Sequence, residues 1–255
     1  MIINEEIARG VNAKDKDFFD RVYCKDSMRK YKERIKRIGF LGDTTKVLDA
    51  GCGFGQWSFA LAQCNQEVFS IDIDSERLKV LKCIANDNNI NNIKVKMGCL
   101  EKLPYEDETF DFIFCYSVIY MADWKKAIDE MIRVSRADGL IYICSNDIEW
   151  YYNMIINEPN KNHYYHPRYL GIQAFINEYR YKAGENDIMG VDKVVRLQDI
   201  KKYIFQKNGK VIISGGEGTI KKQGSNYILE KSNDLSFFKS EYFGELGVYE
   251  LIVQK

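Results

Sequence analysis

The run Val47-Leu48-Asp49-Ala50-Gly51-Cys52-Gly53-Phe54-Gly55 carries two aliphatic residues into a carboxylate and then into three glycines at alternate positions. This reads as a buried strand that ends in a tight turn and enters a helix. Glycines at such a turn let a ligand approach the backbone where a Cβ would collide, and the next helix presents unpaired amide hydrogens. The following apolar run, 68–71, ends in Asp72, 21 residues after Gly51, where an acid is placed to hold a ribose diol. A nicotinamide site also wants glycines and an acid at about this separation. Its third small residue, however, belongs at Gln56, whereas here the third glycine comes one residue early, at Gly55. Asp49 would repel a pyrophosphate and attract a cation. The ligand read from these residues is a nucleoside with a positively charged arm.

Outward from this turn, short apolar runs at 47–48, 68–71, 93–97, 110–115 and 140–144 alternate with helical stretches. Continuous apolar runs are the mark of strands covered on both faces, and the alternation predicts a parallel α/β sheet with a helix between successive strands. Trp124, Ala127, Ile128, Met131 and Ile132 form the stripe of one covering helix. After Cys144 the rhythm breaks. The next strand candidate is 211–213, so an insertion is expected at 148–190, where Ile172, Phe175, Ile176 and Tyr179 predict a helix with these residues on one stripe. The run 248–253 is expected to close the sheet. Before the first strand, residues 17–38 predict an amphipathic helix or a broken pair of helices. Eight Lys/Arg against two acids lie between Arg21 and Arg37, either a solvated face or a lid that attracts an anionic substrate.

Composition narrows the partners. The 255 residues have 37 basic and 37 acidic side chains and a mean hydropathy of −0.37, so nothing in the overall balance calls for nucleic acid, and no run reaches the roughly 20 apolar residues of a bilayer span. Seven cysteines fall without any C-x-x-C pair, which speaks against a zinc ribbon and for a reducing cytoplasm. A small-molecule partner is expected.

With Leu103-Pro104-Tyr105-Glu106-Asp107-Glu108-Thr109-Phe110-Asp111 and Arg133-Val134-Ser135-Arg136-Ala137-Asp138-Gly139 added to the glycine motif, the chain resembles the class I S-adenosylmethionine-dependent methyltransferases, in their small-molecule branch. The resemblance runs from about Lys46 to Ser145. It implies a Rossmann-like fold: a doubly wound, seven-stranded, mostly parallel sheet. Residues 1–45 would be an N-terminal helical lid, 46–147 the cofactor-binding core, 148–190 a helical insertion capping the substrate, and 191–255 the C-terminal part of the core sheet. S-adenosylmethionine would be held by Asp49 and the backbone of Gly51, Cys52 and Gly53, with Gly55 and Trp57 alongside, by Asp72 at the ribose, and by Ile73, Cys99 and Leu100 around the adenine. Cys115 and Tyr116 would lie beneath the methyl, with Tyr120 and Arg168 toward the acceptor. The chain departs from the family at Cys99, where Asp is common, and at Ala137-Asp138-Gly139, which lacks a proline and a glycine.

Candidate bases are His163, His166 and Asp147. Two histidines three apart could ligate a metal, but no third ligand is evident, and Asn146-Asp147 supplies half of a catechol-type metal site. The expectation is metal-independent transfer to a small polar acceptor, through an oxygen. An RNA or protein methyltransferase docking through the 21–37 face, and a cofactor-binding module without turnover, are the alternatives.

Overall fold

In a computed structural model that describes residues 3–185, 190–231 and 234–255, Val47, Leu48 and Asp49 lie on the middle strand of the sheet, β1 (Gly42–Ala50). Parallel to it on one side run β2 (Asn65–Asp72) and then β3 (Ile93–Met97), and on the other β4 (Phe110–Tyr116) and then β5 (Ser135–Asn146). Asp49 is in register with Ser70 of β2 and Phe114 of β4. Beyond β5 come β6 (Lys210–Gly216), the hairpin β7 (Ile220–Gln223) and β8 (Asn226–Leu229), the short pair β9 (Glu241–Tyr242) and β10 (Glu245–Leu246), and β11 (Val248–Gln254). The seven-stranded order is β3-β2-β1-β4-β5-β11-β6, with β11 antiparallel between β5 and β6. The chain reverses its direction of travel between β1 and β4. Open α/β sheets bind ligands in the crevice outside the carboxyl ends at such a switch.

Nine helices are described: α1 (Glu5–Gly10), α2 (Ala13–Val22), α3 (Ser27–Ile38), α4 (Gln56–Ala62), α5 (Ser75–Asp87), α6 (Trp124–Val134), α7 (Ile148–Asn157), α8 (Pro167–Lys182) and α9 (Leu197–Gln206). One face of the sheet packs Phe114, Tyr142 and Ile252 against Ile35 and Ile38 of α3 and Trp57 of α4; the other packs Ile113, Ile143 and Leu251 against Ile128 and Met131 of α6 and Ile204 of α9. At about 1.5–3 kcal/mol for each fully buried aliphatic side chain, these stripes are what dock the helices. The expected N-terminal helix is a pair, broken at Asp26, whose φ of 66° lies in the left-handed region.

Three expectations are corrected. Between β3 and β4 there is no helix; the irregular segment 98–109 instead drops Leu100 and Leu103 into the core, and Phe69, Phe110 and Tyr105 pack edge-to-face over it. On α8 the apolar stripe is turned outward: Ile172, Ile176 and Tyr179 are exposed, Phe175 half-buried, and the small residues Gly171 and Ala174 face α7. A Cβ on Gly171 would stand 2.9 Å from Ile155 Cγ1 and 3.1 Å from the Tyr151 carbonyl oxygen, so close approach of the two helices decides which face is buried.

The third correction concerns the cationic face. Arg34 is 1% exposed and bridges Glu217 (2.9 Å) and Glu250 (2.6 Å), while Lys30 donates to the Ser236 carbonyl and Arg37 pairs with Glu230. The C-terminal segment thus takes up three of the eight cations, while Arg21, Lys25, Arg29 and Lys36 stay exposed. All seven cysteines are free thiols, and no helix among the described residues is long and apolar enough to cross a membrane.

Candidate functional site

The three glycines do different work. Gly51 has φ 79° and a Cβ there would meet Val118 at 2.6 Å; Gly55 has φ 85° and a Cβ would meet Leu81 at 2.5 Å. Both positions therefore serve packing of the turn. At Gly53, φ 54°, a Cβ would meet nothing within 4 Å, so this is the glycine that faces open space. Its N–H donates to Asp72 Oδ2 (2.8 Å), and the N–H of Asp74 donates to Oδ1 (2.9 Å), which fixes the half-buried carboxylate at the tip of β2. The neighbouring Ile73 is 59% exposed, an aliphatic surface left uncovered beside that acid.

Asp49 is buried, and its described hydrogen bond comes from Ser58 Oγ (2.5 Å), which is itself held by Ser70 (2.8 Å). No cation among the described residues pairs with it. Burial, helped by the nearby Asp72 and opposed by Ser58, pushes its carboxyl up to about 7. A buried acid without a countercharge among the described residues would be stabilised in its ionised form by a cationic group on a ligand. The amide oxygen of Gln56, at the start of α4, is likewise buried without a hydrogen-bond partner. Neither Gln56 nor the Ser58–Ser70 relay was singled out from sequence. Polar residues one and three positions beyond the third glycine are too common to signal by themselves.

Over this turn lies α2. Phe19 packs edge-to-face on Phe54 (5.2 Å), and Tyr23 Oη donates to the Phe54 carbonyl (2.7 Å). At the tip of β4, Tyr116 donates to Glu217 Oε1 (2.9 Å), Ser117 takes a φ of 57°, and Tyr120 Oη lies 3.5 Å from Ser117 Oγ. Cys99 is half-buried and Leu100 buried next to β3.

Other expected site residues lie in packed surroundings, in helix caps or on the surface. Cys115 is wholly buried in the core, and Cys52 is buried among Phe54, Phe59 and Leu81, so only its backbone is available. Trp57 is packed among Tyr31, Phe114, Tyr116 and Phe237 on the sheet face, away from solvent. Asp147 caps two helices: Oδ1 accepts from Ile148 N–H (2.8 Å) and Oδ2 from Leu197 N–H (3.0 Å), so both oxygens are engaged in holding α7 and α9. His163 and His166 are exposed on the loop before α8, and Arg168 ties that loop to Glu158 (2.7 Å) and the Ile155 carbonyl (2.9 Å). None of these four is brought to the glycine turn by a described contact. Asp192, which the sequence reading passed over, is half-buried instead; burial raises its carboxyl to about 6, with Lys193 pulling it down.

Residues 41–209 match the family model described as a methyltransferase domain. The chain is 34% identical over 95 residues to the uncharacterized methyltransferase YcgJ of Bacillus subtilis, covering 37% of this chain and 38% of that protein. It is 28% identical over 145 residues to the demethylmenaquinone methyltransferase of Anoxybacillus flavithermus, covering 54% and 61%. The chain thus spans from about two fifths to three fifths of the length of these curated relatives. Among solved structures, the PH0226 protein of Pyrococcus horikoshii shares the fold at a TM-score of 0.60 and 16% identity, over 93% of this chain and 98% of that one. The family match, the strand order and the glycine turn agree, and the chain belongs to the class I S-adenosylmethionine-dependent methyltransferases.

Proposed function

We propose that the protein transfers the methyl group of S-adenosylmethionine to an oxygen of a small polar acceptor, without a metal ion, leaving S-adenosylhomocysteine. The observation that carries the reading is the buried Asp49, without a cationic partner among the described residues, next to the open side of Gly53 and the pinned Asp72. Asp49 would face the ammonium of the methionine arm and the backbone of residues 51–53 its carboxylate. Asp72 would accept from the ribose hydroxyls, Ile73 would pack on the adenine, and Cys99 and Leu100 would border its edge. The bound sulfonium supplies an activated methyl; the protein's part is to align it with the acceptor, and alignment alone lowers a barrier by several kcal/mol.

A small acceptor is favoured because Lys30, Arg34 and Arg37 are engaged with the chain's own C-terminal segment, which leaves fewer cations of this face to an RNA. The relative named demethylmenaquinone methyltransferase also acts on a small molecule by its name. The use of both Asp147 oxygens as helix caps supports the metal-independent reading. Seven free thiols suit a reducing cytoplasm.

The two kinds of glycine make the test. Gly53→Ala is expected to weaken S-adenosylmethionine at least tenfold by calorimetry while lowering stability by about 1–2 kcal/mol, the penalty of a left-handed alanine. Gly51→Ala is expected to lose stability beyond that, from the Val118 collision. Equal cofactor affinity in Gly53→Ala and the unsubstituted protein would falsify the placement of the cofactor.

A further inference from the structure

Asp192 stands outside every role assigned so far, yet its segment is bound over the carboxyl ends of β4 and β5. Gly190 N–H donates to the Met121 carbonyl (2.9 Å) and Lys193 N–H to the Tyr120 carbonyl (3.0 Å). From α7, Tyr151 Oη donates to the Lys193 carbonyl (2.9 Å); from α8, Asn177 Nδ2 donates to the Asp192 carbonyl (2.9 Å). Four anchors therefore fix the backbone of a half-buried acid beside the Ser117–Tyr120 corner, and Ser117 N–H is itself held by the Cys144 carbonyl (2.9 Å).

The groups around the carboxylate come from every neighbouring element. Tyr120 on the β4–α6 connection, Tyr151 on α7 and Tyr165 on the loop before α8 lie near enough to feel its charge, with Lys193 on its own segment. The charge of Arg21 on α2 also reaches Tyr165, and Lys193 feels Glu101, Asp123 and Glu178. No side chain among the described residues donates a hydrogen bond to Asp192. Its lone pairs are available to a molecule held at this corner, whereas the exposed histidines and the capping Asp147 offer nothing comparable.

We propose that Asp192 is the catalytic base of the reaction, taking the proton of a hydroxyl acceptor held between Tyr120 and Tyr165; this rests on the oxygen-transfer reading above. As the acceptor oxygen uses a lone pair to bond the methyl carbon, the carbon–sulfur bond breaks with its electron pair left on sulfur. The O–H proton passes to the Asp192 carboxylate, which later releases it to water. An acid poised a little below neutrality is ionised at working pH and still basic enough to share a proton with a hydroxyl that is losing it.

The test uses the full chain, S-adenosylmethionine at saturation, and two phenols as probes at about pH 8: catechol, largely un-ionised there, and 4-nitrophenol, largely ionised. Asp192→Asn is expected to bind the cofactor unchanged and to lose about 100-fold in kcat on catechol, with a loss at least tenfold smaller on 4-nitrophenol. The unsubstituted protein is expected to lose rate on catechol below about pH 6, and the variant to lose that acid limb. An equal loss on both phenols, no loss on either, or methylation of neither phenol by the cofactor-bound unsubstituted protein overturns the assignment. Failure of the unsubstituted protein to bind the cofactor at all would overturn the methyltransferase reading itself.

Discussion

Asp49 illustrates how one side chain couples folding, protonation and ligand. Its carboxyl rises from 3.8 to about 7 because burial outweighs the Ser58 hydrogen bond, and Asp72 adds to the rise. In the ligand-free protein the folded state keeps this proton after the unfolded chain has lost it at about pH 4, so the native state binds more protons across the interval. Stability therefore falls as pH rises from about 4 to about 7 and is level above. A bound ammonium reverses the preference and expels the proton. Cofactor affinity is expected to strengthen between about pH 6 and about pH 8, with close to one proton released at the lower end, counted by calorimetry in buffers of different ionisation enthalpy. Asp49→Asn is expected to unfold at a higher temperature than the unsubstituted protein at about pH 8 without ligand, to bind the cofactor 10- to 100-fold more weakly, and to show no pH dependence. Uptake of a proton, or none exchanged, would remove Asp49 from contact with the cationic arm.

At the scale of elements, what was legible in the sequence was whatever neighbours along the chain decide. The glycine turn, the apolar runs of β1 to β5 and the stripe of α6 are local patterns, and each becomes the expected element. Burial on α8 is not local. Ile172, Ile176 and Tyr179 have the spacing of a core stripe, but Gly171 and Ala174 let α8 come nearer to α7 than any large residue could, and packing follows the closer approach. Gly171→Ala is expected to destabilise the protein by about 1–3 kcal/mol, because neither Ile155 nor the Tyr151 carbonyl can yield without moving α7. Ile172→Lys, on the 44% exposed side, is expected to stay within about 0.5 kcal/mol of the unsubstituted protein. Urea midpoints of both variants decide it: the reverse ranking would turn the helix back to the register its sequence suggests.

For the molecule as a whole, the least legible feature is the one that ties its two ends together. Arg34 reads as one more cation on a solvated helix, yet it sits 183 residues from Glu217 and 216 from Glu250 along the chain and bonds both, with Tyr142 donating to Glu250 (2.6 Å) and Tyr116 to Glu217. No pattern within α3 could announce partners that only the completed sheet delivers, just as nothing near Asp192 announces the tyrosines around it. The cluster holds one guanidinium against two carboxylates. Burial pushes Glu217 above its ordinary range, Arg34 draws it down, and Glu250 raises it further. Arg34→Met leaves two buried acids without a cation, and the expected loss is about 3–5 kcal/mol at neutral pH. In that variant the Glu217 carboxyl, already raised by burial, loses the cation that draws it down, so the folded state binds more protons and stability falls as pH rises above about 4.3. The deficit should therefore shrink as pH is lowered from about 7 to about 5, and replacing both acids as well, Glu217→Gln and Glu250→Gln, should restore most of it. Urea unfolding of the single and triple variants at the two pH values reads all of this. A deficit that is the same at both, or that the triple variant deepens, would mean that Arg34 contributes by packing its aliphatic stem and not by compensating charge.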